Sequence, residues 1–417
     1  MLVSLTQQNW KGYCAKVSSV LEKATFFFSA AALLVAMVDN NFSMKLFNIC
    51  GIMAVLTLIL KAKSNSINWK VAALPGSILF IGIINLIWYE VFKADNSPFK
   101  ATYHNYINTA RVFIFGAFIV FLAATSKLKY KNTAILYLLY LISFVILGYA
   151  AYQKFAVGME RIDFGIGSST GAAYSIMLIG LISAISILNT PKSHPFLFII
   201  NVAVVFAALM LTQTRSSLLI FPVICCITIV TYYLENPKRL FLAICGFLVL
   251  LIVLGLVFSQ PIAKRYNAAV NDIDLYQQGS GNTSLGARLA MYEAGINLFE
   301  DSPLKWRSAE ERSKNVSQMI TQDKTLSPVR LFTNIHLHNE IIESASLKGI
   351  FGALSIVAFY VALLFSVYYF KSLGLFAYSL AIIGTGLSDV IIWARSIPII
   401  IICGIALLLL FNKQRSE

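Results

Sequence analysis

Phe241-Leu242-Ala243-Ile244-Cys245-Gly246-Phe247-Leu248-Val249-Leu250-Leu251-Ile252-Val253-Leu254-Gly255-Leu256-Val257-Phe258 carries no charge over 18 residues, and Ser259-Gln260-Pro261-Ile262-Ala263-Lys264-Arg265 ends the run. A helix of that length covers most of a ~30 Å hydrocarbon core. Its backbone amides find their partners within the segment, which is what lipid requires. The residues after it are of another kind. From Ser259 to Lys348 the chain is mixed and polar, with ten Lys/Arg and ten Asp/Glu, before apolar runs resume. The reading is an all-α integral membrane protein with one large polar island.

Composition agrees. The chain of 417 residues is 58% hydrophobic and 12% charged, with a mean hydropathy of +0.75. Soluble domains run near ~25% charged. Apolar segments fall at about 24–38, 44–60, 71–92, 107–125, 134–152, 168–189, 195–212, 216–234, 240–258, 350–370, 373–392 and 396–412, twelve in all. Three regions follow: 1–258 with spans one to nine, 259–348 as one large polar loop, and 349–417 with the last three spans and a tail. No cleavable signal peptide is expected, because Met1 to Lys23 is largely polar.

The formal net charge of +14 first suggests a nucleic-acid partner. Its distribution argues against one. The island is neutral by count, and the connections on the side of the two termini hold 15 Lys/Arg against Glu22, Glu235 and Glu417. The opposite side, island aside, holds eight Lys/Arg against six acids. The positive-inside rule then places both termini in the cytoplasm and the island outside, in the periplasm of a bacterium. None of the six cysteines lies in the island, so no disulfide staples it, and they read as packing residues.

Within the island a helix is expected from Ser284, with Leu285, Leu289, Tyr292, Ile296 and Phe299 as its apolar stripe. A second helix is expected from near Asn334 into Ile350, with Asp301 to Ser327 as loop between them.

Some polar residues stand where chemistry is plausible. Arg215 lies between two apolar runs at the expected periplasmic face: either it snorkels to the headgroups or it clamps an anion. Arg288 sits on the expected amphipathic helix, where a solvated face or a lipid contact is the ordinary use. His336 and His338 bracket Leu337. On a helix only His336 and Glu340 have the i,i+4 spacing of a zinc pair, and no third ligand is evident, so the expectation is no metal. A lone histidine as general base is the better functional reading, beside a plain surface histidine. Gly167 and Gly171 form a G-x-x-x-G pair that reads as close helix packing rather than a phosphate site. Asp389 and Arg395 flank a short connection and either pair with each other or serve the site. No Walker motif, dinucleotide fingerprint or G-x-S-x-G is present. A periplasmic enzyme has no ATP, so its substrate arrives already activated.

Together these stretches resemble the O-antigen ligases of lipopolysaccharide assembly. The resemblance covers essentially the whole chain. It is carried by Asn96-Ser97-Pro98-Phe99, Ala101-Thr102-Tyr103-His104, Leu211-Thr212-Gln213-Thr214-Arg215, Ser284 to Glu293, His336-Leu337-His338-Asn339-Glu340, and Gly386 to Pro398. Arg215 with Leu219 gives R-x-x-x-L, and His338-Asn339 opens a histidine motif that closes at Gly349. The resemblance implies a GT-C-type glycosyltransferase of about twelve transmembrane helices in a bacterial inner membrane. It implies transfer of O-antigen from undecaprenyl diphosphate to lipid A–core, inverting, with no metal and no nucleotide cofactor. His338 would be the base, and Arg215 and Arg288 would hold the diphosphate. Arg265 and Asp389 are weaker carry-overs. The rival readings are an O-antigen polymerase using the same lipid-linked donor and a lipid-linked-sugar flippase. The histidine motif speaks against the polymerase. The gathering of charge at one face speaks against the flippase.

Overall fold

A computed structural model describes residues 2–61, 68–128, 133–190, 195–277, 283–331, 336–393 and 396–412. Among the described residues nine α-helices lead to the island: α1 (Leu2–Val35), α2 (Asn40–Lys61), α3 (Trp69–Phe92), α4 (Lys100–Thr125), α5 (Thr133–Ala151), α6 (Ser169–Leu188), α7 (Pro195–Thr212), α8 (Arg215–Tyr233) and α9 (Pro237–Val257). The island is built from α10 (Ser259–Gln277), α11 (Ser284–Asp301), α12 (Ala309–Gln322) and a short 3-10 segment, Lys324–Leu331. Then α13 (Glu340–Phe370), α14 (Leu373–Ser388) and α15 (Ile397–Asn412) complete the chain. Among the described residues there is no strand.

Ten of these helices are long and apolar enough to cross a membrane, and α14 and α15 are shorter apolar helices. The protein is a multi-pass integral membrane protein, and each of the twelve apolar segments falls on one helix. α1 differs from expectation in its start. It is helical from Leu2, and its membrane-length stretch is Tyr13–Val35. A helix satisfies its own amides in water as in lipid, so it need not stop where hydropathy falls.

The centre of the bundle is α6, whose residues from Gly171 to Leu188 are all buried. It packs against α5, α7, α14 and α15. Small residues permit this. A Cβ at Gly180 would stand 2.6 Å from Val205 Cγ1 on α7. Asn201 of α7 donates to Ser143 of α5 and Ser183 of α6, each at 2.8 Å, a polar tie within the span. The G-x-x-x-G expectation fails in detail. A Cβ at Gly167 meets nothing, and one at Gly171 meets only ordinary contacts. Gly167 is needed instead for its left-handed backbone (φ +78). Ser168 then caps α6 by accepting from Gly171 N.

The island departs from expectation in three places. The segment Asp301–Ser327, expected as loop, contains α12, whose cap Ser308 accepts from Glu311 N at 3.0 Å. The apolar stripe expected on α11 is rotated. The buried face is Ala287, Met291, Ala294 and Leu298, while Leu285 and Ile296 are exposed. That face joins Val316 and Ile320 of α12, and Leu337, in a small core of its own. Small and medium side chains suffice where two short helices approach closely, so a search for large apolar residues picks the wrong face. The helix expected from Asn334 begins at Glu340, where the side chain of Asn339 caps Ile341 N and Ile342 N. Asn334 and Ile335 themselves lie outside the described residues.

α13 changes direction at Gly349, whose φ is +56. There the chain from Pro303 to Arg307 crosses the helix. Ile350 N donates to Pro303 O at 2.7 Å, and Arg307 N donates to Leu347 O at 2.8 Å. A Cβ at Gly349 would come within 2.3 Å of Pro303 O. The glycine that closes the histidine motif therefore lets the first turns of α13 part from its membrane portion.

Candidate active site

Two loops meet at the head of α13. One is His336–Asn339, which leads into the helix. The other is Asp389–Trp393, which follows α14. Neither is regular structure, so each side chain's direction depends on what fixes its backbone. His338 has a left-handed backbone, φ +52, which a non-glycine residue adopts only when its surroundings impose it. Its carbonyl accepts from Tyr292 OH of α11 at 3.0 Å. Asn339 Nδ2 donates to Leu387 O at 3.0 Å and so ties this loop to the end of α14.

At the meeting point, His338 Nδ1 lies 2.9 Å from Asp389 Oδ1. Tyr174 OH of α6 donates to Asp389 Oδ2 at 3.1 Å, and the same hydroxyl lies 3.0 Å from Ser216 Oγ at the start of α8. Val390 N donates to Asp389 Oδ1 at 2.8 Å. Burial opposes ionisation of Asp389. The hydrogen bond from His338 and the nearby imidazoles outweigh it and bring the carboxyl down to about 2. An ionised Asp389 only accepts, so Nδ1 of His338 carries the proton and Nε2 carries the lone pair. That is the tautomer a general base needs.

His336 stands 3.6 Å from the same carboxylate oxygen, its ring edge-on to those of His338 and Trp393. Burial pushes its imidazole down towards the neutral form. His336, His338 and Asp389 each present a ligand atom, all within 4.8 Å of one another, so the fold supplies the third donor that sequence spacing did not show. Such a set can hold a divalent cation in principle. Here Asp389 Oδ1 already accepts from Val390 N and from His338.

Arg215 opens α8 and its Nη1 pairs with Asp272 Oδ2 of α10 at 3.1 Å. The turn before it is held by Arg161 Nε donating to Thr212 O and by Gln213 Nε2 donating to Glu160 O. Arg288 lies one turn before Tyr292 on α11, half-buried, with no hydrogen-bond or ion-pair partner among the described residues. Its charge acts on the hydroxyls of Tyr174 and Tyr292, which border His338 and Asp389. Arg265 falls on α10, and its side chain lies outside the described residues. Arg395 lies outside them too, so the expected Asp389–Arg395 pair is not described. Among the described residues Asp389 is partnered by His338 and Tyr174.

Sequence reading did not find Tyr174, Ser216 or Asp272. Tyr174 had one signal, a hydrogen-bonding group four residues past Thr170 in the Gly/Ser-rich opening of an apolar segment. Asp272 had none, since its partner is 57 residues away.

The family described as O-Antigen ligase matches residues 200–357 of this chain. A curated protein of Escherichia coli (strain K12), named O-antigen ligase, is 48% identical over 416 residues, covering 100% of this chain and 99% of its own length. A second relative, from Haemophilus influenzae and named only as an uncharacterized protein, is 29% identical over 242 residues, 54% of this chain and 56% of its own.

Proposed function

We propose a mechanism from the premise that this chain belongs to the O-antigen ligase family and is a ligase enzyme: His338 is the general base of a glycosyl transfer from a lipid-linked diphosphate. The single observation that carries it is the 2.9 Å bond between His338 Nδ1 and Asp389 Oδ1, which sets the lone pair on Nε2. The acceptor hydroxyl attacks the anomeric carbon on the face opposite the diphosphate. Its proton passes to Nε2, the C1–O bond breaks, and the electron pair leaves with the diphosphate. Configuration inverts.

Base catalysis of this kind contributes about 10²–10⁴-fold. The departing diphosphate gathers negative charge, and Arg215 and Arg288 offset it. Guanidinium suits phosphate because it donates two parallel N–H bonds. The donor is undecaprenyl-diphosphate-linked O-antigen and the acceptor is lipid A–core. Both are lipids, which agrees with a site where the island meets the ends of α6, α8 and α14. The excess of Lys/Arg on the terminal side supports cytoplasmic termini and a site facing the periplasm of a bacterial inner membrane. The chemistry runs without a metal or nucleotide.

The test is transfer in vitro by the purified enzyme, with defined donor and core acceptors. His338→Ala should lose at least about 10²-fold in kcat, while Arg215→Ala and Arg288→Ala lose activity chiefly towards the diphosphate donor. Wild-type turnover by His338→Ala would remove the base role. Loss of activity in EDTA, restored by a divalent ion, would turn the His336, His338 and Asp389 group into a metal site.

A further inference from the structure

We propose that Glu340 and Glu343 are positioning residues for the transfer: two buried acidic side chains on the first turn of α13 whose oxygens pin the loops carrying Asp389 and His338 against each other. The inference rests on the His338–Asp389 reading above.

The bonds divide cleanly between the two acids. Glu340 Oε2 accepts from Ile391 N at 2.8 Å and from Ile392 N at 3.0 Å, in the loop that begins at Asp389. Glu343 Oε2 accepts from Leu337 N at 2.9 Å, in the peptide between the two histidines. Its other oxygen takes Arg312 Nη1 at 2.7 Å and Tyr106 OH at 3.2 Å. Both glutamates are buried, Glu340 at 2% and Glu343 at 0% exposure. These hydrogen bonds run to the backbones of the two loops, to Arg312 and to Tyr106.

A buried carboxylate is costly to keep unless it has several donors. Solvation of a helix N-terminus needs no such group, since Asn339 already caps α13. What the two acids add is register. They sit three residues apart, on one face of one rigid turn. Through Glu343 that turn holds the histidine loop, and through Glu340 it holds the aspartate loop. The side chain of Leu337 is sunk in the island core, so the histidine loop is held from both sides. Thr109 Oγ1 donates to Ile392 O at 3.0 Å and holds the aspartate loop from α4. One helical turn thus spans the two loops whose side chains make the 2.9 Å contact, while Leu337 and Thr109 hold those loops from their other sides.

The experiment is a mutant cycle in the full-length purified enzyme, with lipid-linked donor and core acceptor. Glu340→Ala should lower kcat about tenfold or more, with donor KM within about twofold. Glu340→Gln keeps a carbonyl oxygen that both amides can reach, and should retain about a third of kcat or more. In an Asp389→Asn background Glu340→Ala should cost no more than about a further twofold, because the residue it positions is already disabled. An equal loss in both backgrounds, or Glu340→Gln as inactive as Glu340→Ala, would overturn the proposal in favour of general destabilisation. If Glu340→Ala does not accumulate folded, Thr109→Val loosens the same loop. It should lower kcat about threefold with Asp389 and leave it unchanged without. Wild-type kcat for Thr109→Val would then count against the clamp. Glu343→Gln is not used, since it removes the charge paired with buried Arg312. The two readings fail differently. Full activity of His338→Ala removes the base, and the clamp with it. An inactive His338→Ala beside a fully active Glu340→Ala removes the clamp alone.

Discussion

α6 and α9 look alike to a hydropathy scan and are opposites in the structure. α9 is the more apolar, at mean hydropathy 3.2 against 2.0, yet 17% of its span is buried in protein against 100% for α6. Lipid asks only for apolar surface, and Leu, Val and Ile supply it. A protein interior asks for close approach and polar ties, so α6 is rich in Gly, Ala and Ser. Each helix also leads to one side chain of the site, directly for α6 and through the helix that follows for α9. α6 brings Tyr174 to Asp389 from inside the bundle. α9 runs on into α10, where Ile262 N donates to Phe258 O, and α10 brings Asp272 to Arg215 from the outer flank. The inner contact is closed to solvent and the outer pair is part-exposed, so water and salt screen the second and not the first.

The comparison can be broken from the inside first. Gly180→Leu drives a side chain into Val205, already 2.6 Å from an added Cβ, and should prevent accumulation of monodisperse enzyme in detergent. Wild-type yield and melting would contradict the tight interior assigned to α6. Next in size, Asp389→Asn should lower kcat about 10²-fold while the protein still folds, read in the purified transfer assay. Its pH dependence has a definite sign. The Asp389 carboxyl is depressed to about 2, so its contribution is complete above the ordinary ~3.9 and is lost as pH falls through about 2. Any fall in wild-type rate between pH 7 and 5 must come from another group, and an Asp389→Asn profile should keep that limb.

Tyr174→Phe removes one of the bonds to Asp389, and at about 1 kcal/mol should lower kcat about fivefold. A larger loss would give Tyr174 a direct role. On the outer flank Asp272→Asn frees Arg215 from a part-exposed pair. Donor KM should fall about two- to fivefold, less so at high salt. A rise in KM would mean that Asp272 orients the guanidinium instead. Smallest of all, Val253→Ala on the lipid side of α9 should shift stability by no more than about 0.5 kcal/mol, measured by thermal unfolding in detergent.

Much of the fold was legible because lipid imposes a strong rule. Twelve apolar segments were visible and twelve apolar helices carry them. His338 and Asp389 were both singled out, one by chemistry and one as charge at a membrane edge. Their mutual contact was not, since 51 residues separate them. Glu343 was read past and Glu340 was weighed only as an i,i+4 partner of His336, because the helix was expected from near Asn334 and its true start at Glu340 was not visible. The face of α11 was misplaced because its core residues are small. α12 was missed because its buried face is only Ala309, Arg312, Val316 and Ile320.

The sequence by itself determined that the chain crosses a membrane many times, that it keeps one polar island, and which residue types stand near the membrane edge. Those properties depend on local runs of side chains and on the cost of leaving amides unpaired in lipid. The tertiary structure alone decided which helix is central, which way α11 faces, and how two irregular loops bring His338 to Asp389. Those properties depend on contacts between distant segments, where a backbone amide of one loop finds the carboxylate of another element, and no local pattern encodes them.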